Sequence, residues 1–532
     1  MKRRVLAMLF LVGMMLPMSA QNGVWQWSVS VRNFAQKPKS LESQAYLWIA
    51  PACQEVRAVL VAQHNMEEIT LMEDAAFRQR MGELGVAQVW VHPSFNHGFD
   101  FRDGAWETLD AILHDLAAVS GYEELASAPL IGIGHSAAAS WPYYLAAYKP
   151  ERTLACISVS GQWPYHRDDW LCHDIWGERT IDCIPCLETM GEYESAEGWA
   201  LRGLKERREH PLLPLSMLAC PAEGHFAYTP EKAQYIALFI RKALQYGHVD
   251  PTKEGWLAER WLRNQPPTTE PAPVAEYKGN REEAFWFFDR EMVEATQAYQ
   301  ARFRALKPQL AGLKQGGEFV PQRNTHMQLH PTCTTSEDGV TIPLEAAMYS
   351  EVPVGHNRLP AWTGRKVGEP LEQGAGAPRL SIISAPAEVV DEGLRIAWNR
   401  LEQWSDKEVE LDFAVVHPGD EHFKAAVQQA RIMMPVRRAE GMGQTIDFAP
   451  LRDVKRGTKS LPLKAVASSG LPVGFYVDAG PARVEGNRLV LTPLPPRTKY
   501  PVRVTVVAWQ YGRTTDPEVA TAEPVRQTFY IR

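Results

Sequence analysis

Between Arg57 and Leu244, short and nearly continuous apolar runs alternate with stretches of helical periodicity, a pattern that few folds can use. The runs are "AVLVAQH" (58–64), "VAQVWVHP" (86–93), "PLIGIGHS" (129–136), "LACISVSG" (154–161), "IPCLETMGE" (184–192) and "PLSMLAC" (214–220). Strands that are apolar throughout must be covered on both faces, and helices between parallel strands do this. Right-handed crossovers then predict a doubly wound, mostly parallel α/β sheet whose functional groups gather at the carboxyl ends of the strands. Helices are expected near 73–84, 105–119 and 230–244.

The chain has 532 residues and 45% hydrophobic content, which exceeds one ordinary domain and predicts two or three. The start, "MKRRVLAMLFLVGMMLPMSAQNG", has charges at Lys2, Arg3 and Arg4, an apolar run from Val5 to Leu16, and small residues at Ser19 and Ala20. It reads as a secretory signal over 1–20, because a run this short cannot cross a hydrocarbon core that needs roughly 20 residues. A secreted or periplasmic protein without a membrane span is expected. The α/β unit is assigned to 21–263, and the proline-rich "NQPPTTEPAPVAEYKGN" to a stiff connection over 264–280. A helix over 281–314 and a β-rich middle region complete 281–443, where apolar and polar residues alternate as in an antiparallel sandwich.

A net charge of -7 with scattered Lys and Arg gives no basic footprint, so nucleic acid is not expected as a partner. Cys183-x-x-Cys186 lacks a second ligand pair at zinc spacing, and no metal or cofactor is implied. Seven cysteines cannot all pair; Cys172 and Cys183 flank a surface excursion and are the pair that could be joined.

Chemistry concentrates at "LIGIGHSAAASW". A strand ending in Gly134-x-Ser136-x-Ala138 and running into a helix matches the nucleophile elbow G-x-S-x-G, with alanine in place of the last glycine. Pro142, about a turn into that helix, is expected to cost a hydrogen bond or a kink. A serine hydroxyl is inert at neutral pH without a base and an orienting acid, so a histidine and a carboxylate must follow.

On these residues the segment resembles the α/β-hydrolase family, whose chain order is serine, acid, histidine. The resemblance implies His225, in "EGHF" between the last strand and last helix, as base. It places the acid after the preceding strand, three residues past Gly191, which selects Glu194; Glu192 stays open, as do Asp168, Asp169 and Asp174. It gives one oxyanion donor as the Ala137 N–H and draws the second from the main chain of Asn65 or Met66. His64 reads as a turn residue.

The segment "GQWPYHRDDWLCHDIWGERTIDC" (161–183) is expected to lie over the serine, with Trp163, Tyr165, Trp170 and Trp176 offering flat faces to sugars. The leading reading is therefore a secreted serine esterase that removes acetyl, methyl or aromatic acyl decorations from a polysaccharide, its partner being the esterified carbohydrate. Two rivals remain. A lipase or peptidase would need a greasier lid or a peptide-gating domain, and an inactive surface glycan-binding protein would hold Glu194 and His225 apart. Finally, 444–532 resembles a bacterial immunoglobulin-like repeat, on Gln444-Thr445-Ile446, Ala467-Ser468-Ser469-Gly470-Leu471-Pro472-Val473, Gly480-Pro481-Ala482 and Gln527-Thr528-Phe529. That module implies spacing or adhesion and no chemistry.

Overall fold

The computed structural model describes residues 23–32, 42–166, 175–322, 328–354, 359–403 and 407–532. Residues 1–20, expected to be a secretory signal, and Trp170 lie outside the described residues, as do Asp168, Asp169, Cys172 and Asp174. Eight strands form one sheet: β1 (Trp27–Ser30), β2 (Gln44–Trp48), β3 (Ala58–Gln63), β4 (Val86–His92), β5 (Leu130–His135), β6 (Thr153–Val159), β7 (Cys186–Gly191) and β8 (Leu215–Cys220). Their order is β1-β2-β4-β3-β5-β6-β7-β8, antiparallel across the first two pairings and parallel from β4 onward. All six residues of β3, β5, β7 and β8 are buried, in keeping with their mostly apolar character. This is the doubly wound α/β arrangement expected from the sequence.

Helices α1 (Glu68–Glu73), α2 (Ala75–Leu84), α3 (Ala105–Ser120), α4 (Trp141–Tyr148), α5 (Ala196–Glu209) and α6 (Pro230–Tyr246) cover the sheet. Their ends follow local chemistry. Asp74 caps α2 by accepting from the Phe77 N–H, Gly85 ends it at φ 71°, and Thr229 caps α6 with Pro230 as its first residue.

The next segment adds detail to one expectation and changes another. The proline-rich stretch is tied down: β10 (Ala272–Pro273) and β11 (Ala284–Phe287) flank β9 (Trp256–Glu259) in a three-stranded sheet, and Val274 and Tyr277 are buried. The helix expected over 281–314 is only α7 (Arg290–Gln300), capped by Asp289, with strand β11 before it and β12 (Ala311–Gln315) after it. The reason lies in "AFWF", four consecutive residues that are all buried, which a strand covered on both faces accepts and an amphipathic helix does not.

The middle region is antiparallel. It holds β13 (Glu318–Phe319), β14 (Thr341–Pro343), β15 (Glu345–Met348), β16 (Arg379–Ser384), β17 (Ala387–Val390) and β18 (Gly393–Ile396). Its longest pairing joins β19 (Glu408–His417) to β20 (Ala426–Pro435) along their full lengths, with β16 on the other edge of β19. Residues 444–532 fold as a β-sandwich of short antiparallel sheets, in which Val502, Val504 and Val506 point into the core while Arg503 is exposed.

Candidate active site

Ser136 follows β5 at the carboxyl edge of the sheet, with φ 54°, a left-handed conformation that a non-glycine residue adopts only when its surroundings impose it. The chain then makes one tight turn, 136–138, before α4 begins at Trp141. Glycine at 134 is obligatory, because an added Cβ would lie 1.9 Å from the Ala138 carbonyl oxygen. At Gly132 it would meet the Pro142 Cβ at 2.8 Å. Pro142 costs nothing here. The helix starts later than the sequence suggests, so the proline occupies its first turn, where no intrahelical N–H is needed.

His225 leaves the turn after β8 and brings Nε2 to 2.7 Å from Ser136 Oγ, while its Nδ1 hydrogen-bonds Glu194 Oε1. In that tautomer the Ser136 hydroxyl donates to Nε2, and the Nδ1–H donates to the carboxylate. The other Glu194 oxygen accepts from the Ser160 hydroxyl at 2.7 Å and from the Gly191 N–H at 3.3 Å. Burial alone would push this carboxyl up, but the His225 ring and the three hydrogen bonds outweigh it and hold Glu194 at about 2. The structure thus brings Ser136, His225 and Glu194 into one hydrogen-bonded chain.

Glu192 faces elsewhere. It is 2% exposed, accepts from the Ala222 N–H at 2.8 Å, and pairs with Lys424 Nζ and Arg263 Nε, each at 2.9 Å. Its role is to tie the turn after β7 to the β-rich region.

Other expected site residues sit differently. Trp163 is fully buried, stacked between Trp199 and Phe285 at 6.3 and 5.9 Å, and donates its indole N–H to the Trp199 carbonyl. Trp176 is 2% exposed against Tyr144 and Tyr165, and Tyr165 stacks on His210. Trp163 and Trp176 are core and present no free face to a sugar, while Tyr165 is half-buried. A large aromatic between two strands covers more apolar area by turning in than by staying out.

The oxyanion donors also need correction. The Asn65 and Met66 N–H groups point at Glu68 Oε2, at 3.0 and 2.7 Å, so neither is directed at the serine. Glu68, 2% exposed, also accepts from the His135 N–H through Oε1 at 2.8 Å; burial pushes its carboxyl up to about 7 despite these bonds. Ala137 follows the nucleophile as expected and is partly exposed. His64, read as a turn residue, is buried beside Trp90 and His92.

Sequence reasoning missed three further groups. Ser160, at φ 50°, supports Glu194. His135 donates from Nε2 to the His225 carbonyl at 2.8 Å and is kept neutral by burial, which pushes its pKa well below the ordinary imidazole value. Strand β20 is the third. Lys424, just before it, meets Glu192; Val427 packs beside Phe226; and Arg431 Nη2 lies 3.5 Å from Met66 Sδ. A Cβ added at Gly224 would come within 3.7 Å of Gln429 Oε1. One strand therefore runs past the acid turn, the base turn and the turn after β3. The identity of His135 beside the serine was visible in the sequence; the position of β20 was not, because Arg431 and Met66 are 365 residues apart.

The sequence matches no family model and no curated protein. Solved structures similar to it include a dienelactone hydrolase from Anabaena variabilis ATCC 29413, 14% identical over 42% of this chain and 98% of that one, with a TM-score of 0.29. Est1E from Butyrivibrio proteoclasticus is 12% identical over 41% and 99%, with a TM-score of 0.28. The LpqC poly(3-hydroxybutyrate) depolymerase from Bordetella parapertussis is 14% identical over 42% and 90%, with a TM-score of 0.29.

Proposed function

We propose that the protein is a serine hydrolase of carboxylic esters. The carrying observation is the hydrogen-bonded chain from Ser136 through His225 to Glu194, begun on a strained strand-to-helix elbow. In this reading His225 Nε2 takes the Ser136 proton as Oγ attacks the ester carbonyl, and Glu194 stabilises the imidazolium through the Nδ1–H. The Ala137 N–H donates to the oxyanion. The tetrahedral intermediate collapses as His225 protonates the departing alcohol, leaving an acyl-Ser136 ester. Water, activated by the same histidine, releases the acid and restores the serine.

The rival of an inactive binding protein required Glu194 and His225 to be apart, and they are in contact. A polar ester is favoured over a lipid because β20 faces the site's turns with Gln429 and with Arg431, itself held by Asp412 at 2.8 Å and Glu410 at 3.1 Å. Ester decorations of a polysaccharide, whether acetyl, methyl or aromatic acyl, fit that polarity. The signal over 1–20 would deliver the enzyme to the periplasm or beyond, and an immunoglobulin-like module over 444–532 would serve as a spacer.

A fluorophosphonate probe tests the mechanism: it labels the wild-type protein and leaves Ser136→Ala unlabelled. Equal labelling of both defeats the assignment. Release of acid or alcohol from acetylated, methylated and feruloylated polysaccharides then tests the substrate, and turnover of long-chain acyl esters alone would move the protein to the lipases.

A further inference from the structure

The strand ladder between β3 and β5 ends at Ala62 and Ile133, two residues short of His135. Beyond that point β3 has turned away, and the main chain of His135 would be left unpaired on that side. Two side chains take over. Glu68 Oε1 accepts the His135 N–H at 2.8 Å, and Asn65 Nδ2 donates to the His135 carbonyl at 3.0 Å. Glu68 Oε2 simultaneously accepts from the Asn65 and Met66 N–H groups. A single buried carboxylate thus joins the residue immediately before Ser136 to the turn after β3, with one oxygen on each.

We infer that Glu68 is a positioning residue for Ser136, clamping the nucleophile elbow to the turn after β3 so that the serine and its oxyanion site hold one geometry. This rests on the serine-hydrolase reading. Three N–H donors converge on one side chain, and a carboxylate is the only common side chain with acceptors alone at both ends. Glutamine keeps the shape but places an NH₂ group against at least one N–H, so one half of the clamp must open. Displacement of reacting groups by about 1 Å costs on the order of 10²-fold in rate.

The test uses the full chain with Glu68→Gln and Asn65→Ala, reading two quantities. The first is hydrolysis of p-nitrophenyl acetate. Glu68→Gln is expected to lower kcat about 10²-fold with KM within about twofold, while Asn65→Ala, which removes only the bond to the His135 carbonyl, is expected to lower it about tenfold. The second is amide hydrogen exchange, expected to speed up at Asn65, Met66 and His135 in Glu68→Gln. Unchanged exchange at these amides overturns the clamp, and faster exchange with unchanged kcat overturns the positioning role. Should Glu68→Gln fail to fold, Glu68→Asp, whose shorter side chain cannot reach both turns, is read in the same two ways, and faster exchange with wild-type kcat overturns the positioning role. If the wild-type protein neither turns over the ester nor takes the fluorophosphonate, the serine-hydrolase reading fails, and with it the positioning role; exchange still decides whether the clamp exists.

Discussion

The turn after β7 and the segment after β6 leave the same edge of the sheet, and both carry residues suited to a site, yet they do opposite things. The first sends Glu194 to His225 and packs Glu192 against Lys424 and Arg263. The second folds Trp163 and Trp176 into the core. The difference lies in what satisfies each group. A carboxylate is costly to bury without partners, so its position reports the positions of its partners. An aromatic ring needs only apolar contact, which the sheet's own helices provide.

The comparison predicts a graded set of losses. Glu194→Gln keeps shape but removes charge, and is expected to lower kcat by up to about 10⁴-fold while the protein stays folded. Steady-state kinetics with p-nitrophenyl acetate measure it, and a fall under tenfold would erase the distinction between the two carboxylates. Glu192→Gln should act on stability first. Removing one partner of a buried ion pair costs about 3–5 kcal/mol, read as a lower denaturant midpoint, with kcat changed far less than in Glu194→Gln.

On the other side of the comparison, Trp163→Phe loses the bond to the Trp199 carbonyl and some contact, and should cost about 1–2 kcal/mol with KM unchanged. A raised KM for a glycan ester would return that ring to the substrate. A pH-dependent effect is acid sensitivity. Because Glu194 is held at about 2, below the ordinary carboxyl value of about 4.3, its contribution to stability is fully present above that value and is lost as pH falls through about 2. Glu194→Gln should therefore flatten the stability curve between about pH 4.5 and 2 relative to wild type, and parallel curves would show that Glu194 is not charged in the fold.

What the sequence made legible follows the same division. The parallel sheet was readable because strands buried on both faces are mostly apolar, and Ser136, Glu194 and His225 were readable because each stands where the α/β-hydrolase pattern that the sequence resembles implies it, at a strand end or past a glycine. Glu68 was unreadable: nothing local marks a carboxylate that accepts from three main-chain N–H groups, and the apolar setting that makes it matter comes from the fold. Asn65 and Met66 were misassigned for the same reason. Trp163 and Trp176 were misread because amphipathic rings suit a core and a sugar platform equally well on composition. The long helix expected over 281–314 failed because periodicity in a short aromatic run does not distinguish a strand from a helix.

The strand that passes the three turns also sets a timetable. Residues 27–244 carry the sheet and the whole Ser136–His225–Glu194 relay, and they leave the ribosome long before β20 exists, since Lys424 follows Glu192 by 232 residues. Domains form as they are made, so the relay can assemble while Glu192 still waits for Lys424 and Met66 for Arg431. In the proposed reading, a chain arranged in this way acquires its chemical groups early and the strand that walls them later, when its C-terminal half is made.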